Sequence, residues 1–155
     1  MPVLETAEGS ITENPAILEY IAVSHPDANL APSGMFEQAN ARSFCAYLCA
    51  TIHVAFAHKQ RGARWVDDAD AVKAMKQYVP QNIAESATNL EADVMNGERA
   101  LGETYSFCDP YLFLVGRWIT ACDLSLDYYP KLATHHAAMR ARPATITALA
   151  VHGLA

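Results

Sequence analysis

Positive charge is scarce in this chain: eleven Lys and Arg face seventeen Asp and Glu across 155 residues, for a formal charge of −6. Proteins that grip a phosphate backbone need clustered cations, so nucleic acid is excluded as a partner. The one local cluster, His58-Lys59-Gln60-Arg61 with Arg64, reads as a solvated helix end, where cations complement the dipole. Long apolar runs are also lacking; none reaches the roughly 20 residues of a spanning helix. The N-terminus has neither the basic nor the apolar region of a signal peptide, and a cytoplasmic protein without a membrane partner is expected. Cysteine is sparse and unpatterned. Cys45, Cys49, Cys108 and Cys122 show no CxxC spacing and read as reduced thiols filling small core sites.

What is present is apolar and periodic. Hydrophobic residues make up 52% of the chain, which excludes intrinsic disorder and supports one domain, or one domain plus a fragment, around a sizeable core. Val3 and Leu4, a turn at Glu8-Gly9 and a returning Ile11 predict a hairpin. A helix then starts abruptly at Glu13-Asn14-Pro15: Asn14 reads as an N-cap, Glu13 favours the dipole, and Pro15 suits a first turn whose N–H groups lack partners. An acid, an amide and free N–H groups at one point make an anion site. Residues 25–34, dense in turn formers, read as a linker.

Everything beyond reads as helix. A long helix from Met35 to Arg61 is expected to turn Phe36, Ala39, Ser43, Phe44, Tyr47, Leu48, Ile52 and Phe56 inward. A second, from Asp70 to Met95, is expected to kink or split at Pro80 and to stop at Asn96-Gly97. Ser106 and Asp109 form a short-armed capping box: the hydroxyl accepts a first-turn N–H while the carboxylate reaches back. The apolar helix that follows, to about Cys122, is expected at the centre of a bundle. Two short helices, 130–141 and 144–151, finish the chain. Cys45, Cys49 and His53 fall on one helix face, but ligands stacked along a straight helix do not converge on an ion, so no metal is expected. His135 and His136 read as surface residues.

The strand Met1-Pro2-Val3-Leu4, the pair Glu13-Asn14 before a helix, and Ser106-x-x-Asp109 together resemble the glutathione S-transferase family, closest to its bacterial beta class. The resemblance implies a mostly α fold. An all-helical C-terminal bundle (35–155) would follow a linker (25–34) and a β-hairpin plus helix remnant (1–24) of a thioredoxin-like domain. It also implies that the first strand, first helix and second strand, with the family's Cys, Ser or Tyr, would precede Met1. That arrangement counts against catalysis by this chain alone.

The same resemblance implies roles for individual residues. A cis bond before Pro2 would turn the backbone at Pro2 and Val3 toward the cysteinyl unit of glutathione. Glu13 would receive the ligand's amino group and Asn14 its glutamyl carboxylate. The run Ala50-Thr51-Ile52-His53-x-x-Phe56 matches a beta-class helix whose histidine faces the glutathione sulfur, where His53 would orient or deprotonate the thiol. Ala46 and Val54 depart from that class, in which Asn and Lys are common. Tyr47, Phe56, Arg117 and Trp118 would line a cleft for a hydrophobic second substrate, with plain core packing as the alternative. Glutathione would serve as co-substrate or ligand without any other cofactor, and the protein would be a homodimer. The implied function is conjugation or binding of glutathione with hydrophobic electrophiles. The alternative is a noncatalytic helical interaction module that keeps the transferase frame.

Overall fold

A computed structural model describes residues 2–95 and 97–154. Val3–Thr6 (β1) and Gly9–Thr12 (β2) pair antiparallel, with Val3 opposite Thr12 and Thr6 opposite Gly9. The turn is Ala7-Glu8 rather than Glu8-Gly9, because Thr6 closes it: its Oγ1 accepts the N–H groups of Glu8 and Gly9 at 3.2 and 3.1 Å and donates to the Gly9 carbonyl at 2.7 Å. Gly9 then takes φ 143, which a side chain would resist.

Helix α1 (Asn14–Ser24) buries only Ile17 and Ala22. Its outer face is tied to the next helix by Arg42, whose Nε and terminal nitrogen donate to Glu19 at 2.9 and 2.7 Å. A 3-10 turn at Pro26–Ala28 and a left-handed Asn29 bend the chain back, and the Phe107 N–H donates to the Leu30 carbonyl at 2.9 Å.

The long helix forms in three parts: α2 (Met35–Tyr47), a π-helical turn (Leu48–Ile52) and α3 (His53–Arg61). Its buried stripe is Ala41, Phe44, Cys45, Leu48 and Ile52. Phe36, Ala39 and Ser43 point outward, against expectation. The real stripe keeps the i, i+3, i+4, i+7 spacing from Ala41, and the small Ala41 and Cys45 are the residues that admit a neighbouring helix closely.

Helix α4 (Ala69–Asn89) is capped by Asp68, whose Oδ1 accepts the Ala71 N–H at 2.7 Å. It runs through Pro80 unsplit into a second π-helical turn, Leu90–Val94. Proline inside a helix costs roughly 3 kcal/mol, but Val79 and Ile83 beside it are fully buried, and their packing holds the segment helical. The helical run ends at Val94, with Met95 already extended and Gly97 at φ 127, one residue short of the expected stop at Asn96-Gly97, of which Asn96 lies outside the described residues.

Helix α5 (Asp109–Ala121) is the central element, burying Tyr111, Leu112, Phe113, Val115 and Ile119. Helices α6 (Pro130–Arg140) and α7 (Pro143–Val151) pack around it. Glu91 caps α6 from a distance in sequence: its two carboxylate oxygens accept the Lys131 and Leu132 N–H groups at 2.8 and 3.1 Å. The four cysteines are unpaired, with Cys45 Sγ 3.5 Å from Cys108 Sγ in the core.

Asp109 locks the start of α5. Its Oδ2 accepts the Ser106 N–H at 2.7 Å and the Ser106 hydroxyl at 3.0 Å, while Ser106 Oγ accepts the Cys108 N–H at 3.3 Å. Oδ1 receives the Ala100 N–H at 3.0 Å and His135 Nε2 at 3.0 Å. His135 and His136 are therefore not surface residues; both are buried, at 1% and 8% exposure. A buried carboxylate needs a partner, and His135 supplies it. Burial pushes the Asp109 carboxyl up, but His135 and the Ala100 and Ser106 N–H groups outweigh it and hold the group below the usual range.

Candidate functional site

The candidate site residues fall in two places: the start of α1, and the head of α3 where it packs on the middle of α5. At the start of α1 the N-cap is Glu13, not Asn14, which is already the first helical residue. Glu13 has φ 68 and ψ 122, a conformation that costs a non-glycine residue about 1 to 3 kcal/mol and gathers at functional sites. The first helical bond runs from the Ile17 N–H to the Glu13 carbonyl at 3.0 Å. The Asn14 and Ala16 N–H groups precede it and face outward without helical acceptors. Among the described residues no side chain caps this end, so an acid, an amide and two N–H donors stand open together. Val3 pairs with Thr12, which brings Pro2 and Val3 to the same end of the hairpin as Glu13. The expected cis bond involves Met1 and lies outside the described residues.

His53 is the first residue after the π-helical turn. A π turn advances the helix face relative to α-helical spacing, and the result here is that the imidazole meets α5. His53 Nδ1 lies 3.1 Å from the Tyr111 hydroxyl, and the ring stands 4.8 Å from the Trp118 ring, tilted by 44°. Phe56, one turn on, stacks on Trp118 at 5.0 Å and 13°. Burial lowers the His53 pKa, the positive charge of Arg61 lowers it further, and the carboxylate of Glu13 pulls the other way. The imidazole is accordingly neutral at neutral pH. Burial pushes the Tyr111 phenol well above its ordinary value, the neighbouring Cys49 thiol raises it further through charge and a hydrogen bond, and Cys45 and Glu13 add smaller shares. The charge of Glu13 thus acts, as a minor influence, on both side chains.

The four residues expected to line one cleft are divided by the structure. Phe56 and Trp118 stand with His53. Tyr47 instead lines a groove of about 980 Å³ with Pro32, Ser43, Asp93 and Tyr105, and its buried hydroxyl has no hydrogen-bond partner among the described residues. Arg117 borders a smaller apolar groove, about 330 Å³, with Phe113, Met139, Arg142 and Leu149. Ser106 and Asp109 lie in the core as described above, away from solvent. Tyr111 was not singled out from the sequence. Its signal was present in the seven-residue spacing to Trp118, which places both on one face of α5.

No protein-family model matches the sequence. Among curated proteins, glutathione S-transferase GstA of Escherichia coli O157:H7 is 26% identical over 156 residues, covering 99% of this chain and 74% of that protein. Among solved structures, a bacterial beta class glutathione S-transferase of Sphingomonas chungbukensis superposes with a TM-score of 0.83 at 29% identity, covering 100% of this chain and 75% of the other. A glutathione transferase homologue from Sulfitobacter, solved with bound glutathione, superposes with a TM-score of 0.92 at 36% identity, covering 100% of this chain and 83% of that one. With such identity over such a share of both chains, and with bacterial beta class neighbours, the chain belongs to the glutathione transferase family.

Proposed function

We propose that this protein binds glutathione at the start of α1 and presents the ligand's sulfur to His53, beside an apolar face that takes a hydrophobic electrophile. One observation carries the reading: α1 begins at a strained, uncapped Glu13, whose charge acts on the half-buried His53 imidazole. Glu13 receives the glutamyl amino group, and Asn14 with the free first-turn N–H groups receives the adjacent carboxylate, by the logic of anion binding at helix N-termini. Pro2 and Val3 continue the binding edge from the hairpin. The electrophile lies against the stacked Phe56 and Trp118, and Tyr47 and Arg117 belong to separate grooves rather than to this face. Two structural neighbours, from Sulfitobacter and a sphingomonad, were solved with glutathione, which supports the same ligand here. The working unit is a homodimer.

Calorimetric titration with glutathione tests the ligand. Binding in the micromolar to millimolar range is expected, lost in Glu13→Ala and retained in Val151→Ala, whose side chain is exposed at the end of α7. Glu13→Ala keeps the backbone conformation under the same strain, so its folding stability should change little. Equal affinity in wild type and Glu13→Ala would overturn the site. Conjugation of glutathione to a chloronitrobenzene, measured beside the titration, separates a transferase from a binding module.

A further inference from the structure

We propose that Tyr111 is a positioning residue that fixes His53 as the tautomer protonated on Nε2, so that His53 meets the glutathione sulfur as a hydrogen-bond donor and not as a base. The inference deepens the glutathione reading and rests on it for the identity of the sulfur, but the tautomer itself is a property of the unliganded protein.

The argument is one of hydrogen-bond accounting. Tyr111 is 1% exposed, so water does not serve its hydroxyl. Its hydroxyl lies 3.1 Å from His53 Nδ1, with the Cys49 thiol as its other polar neighbour. A phenol carries one O–H to donate, a neutral imidazole has one N–H and one bare nitrogen, and a thiol sulfur is only a weak acceptor. If Nδ1 carried the proton, it would donate to the phenol oxygen, and the phenol's own proton would be left with the weak sulfur acceptor alone. A buried donor so served recovers little of its desolvation cost. The arrangement that gives the phenol proton its best acceptor has the Tyr111 O–H donating to a bare Nδ1, which leaves the proton on Nε2.

The opposite edge of the ring is free to act. Nε2 has no hydrogen-bond partner among the described residues, and His53 is only half-buried, so the N–H is available to a ligand. Trp118 fixes the ring plane from one side at 4.8 Å, and Tyr111 stands edge-on to it, with ring centroids 6.3 Å apart and planes at 81°. An N–H held in this way stabilises a negatively charged sulfur once the thiol has released its proton to solvent. It does not take that proton, since Nε2 is already occupied and Nδ1 is held by Tyr111.

Nitrogen-15 NMR of histidine-labelled protein without glutathione decides the tautomer. The His53 signals are assigned by their loss in His53→Gln. At neutral pH the wild type should show a pyridine-type shift at Nδ1, a pyrrole-type shift at Nε2, and a slowly exchanging Tyr111 hydroxyl proton correlated with Nδ1. In Tyr111→Phe the Nδ1 shift should move toward the value of a tautomer mixture. A pyrrole-type Nδ1 in the wild type overturns the proposal, and so does a Tyr111→Phe spectrum unchanged at His53. If Tyr111→Phe fails to fold, the wild-type hydroxyl correlation carries the decision: its presence supports the proposal and its absence sinks it. Because glutathione is not in the sample, failure of glutathione to bind in calorimetry would remove the ligand and leave this result standing.

Discussion

His136 is buried at 8% exposure, and its Nδ1 has no partner among the described residues. Burial, reinforced by the charges of His135, Arg140 and Arg117, lowers its pKa to about 4. In the unfolded chain the same imidazole titrates near 6.5. Between these values the unfolded state holds a proton that the native state does not, so stability is greatest above about pH 6.5 and falls as pH drops toward 4. The loss expected by pH 4.5 is about 2 kcal/mol. Burial gives His53 a contribution of the same sign, whereas Asp109, held below the usual carboxylate range, loses its share only at lower pH. Urea unfolding at pH 7 and pH 4.5 should therefore show a smaller pH effect in His136→Leu than in wild type, and equal slopes would show that His136 does not titrate in this window. At this scale the sequence revealed the cap that depends on local spacing: Ser106 and Asp109 act three residues apart. His135, which answers Asp109 from 26 positions away, left no local trace, and a pair of adjacent histidines reads by default as surface.

At the scale of elements, α5 and α6 approach through a glycine. A Cβ added at Gly116 would lie 3.0 Å from His136 Nδ1 and 3.2 Å from its Cγ. Replacing an interior helical glycine by alanine ordinarily gains up to about 1 kcal/mol. Here the contact reverses the sign, because His136 also packs against Phe113, with ring centroids 4.8 Å apart, and overpacking a core typically costs about 1 to 3 kcal/mol. Gly116→Ala should destabilise by about 1 kcal/mol, yet stabilise in a His136→Ala background. Chemical denaturation of the four proteins of that cycle measures both effects, and the same sign in both backgrounds would dismiss the contact. Element order was legible because helical periodicity and the breaks at Pro130 and Pro143 are local signals. The two π-helical turns were not, since they follow from how Leu48, Ile52 and Leu90 seat in the core. Nor was the passage through Pro80 legible: there tertiary packing around Val79 and Ile83 overrides propensity. The outward turn of Phe36 has the same origin, because hydrophobicity alone does not say which of two overlapping stripes is covered.

For the whole molecule, the apolar residues left outside the core bear on assembly. Met35 and Phe36 begin α2 at 88% and 72% exposure, and Tyr78 on α4 is 51% exposed. Large side chains so open to water on the helices 35–47 and 69–89 are favourable to cover. The proposed homodimer would cover this patch, since closed two-fold pairs are the commonest arrangement of identical chains and bring the same patch of each copy together. Light scattering at micromolar concentration should give twice the chain mass. Phe36→Asp, which places a charge in that patch without touching the core, should shift the population to single chains while leaving the helical circular dichroism unchanged. A wild-type protein that runs as a single chain under these conditions would remove the dimer, and a Phe36→Asp protein that stays paired would move the interface away from the start of α2.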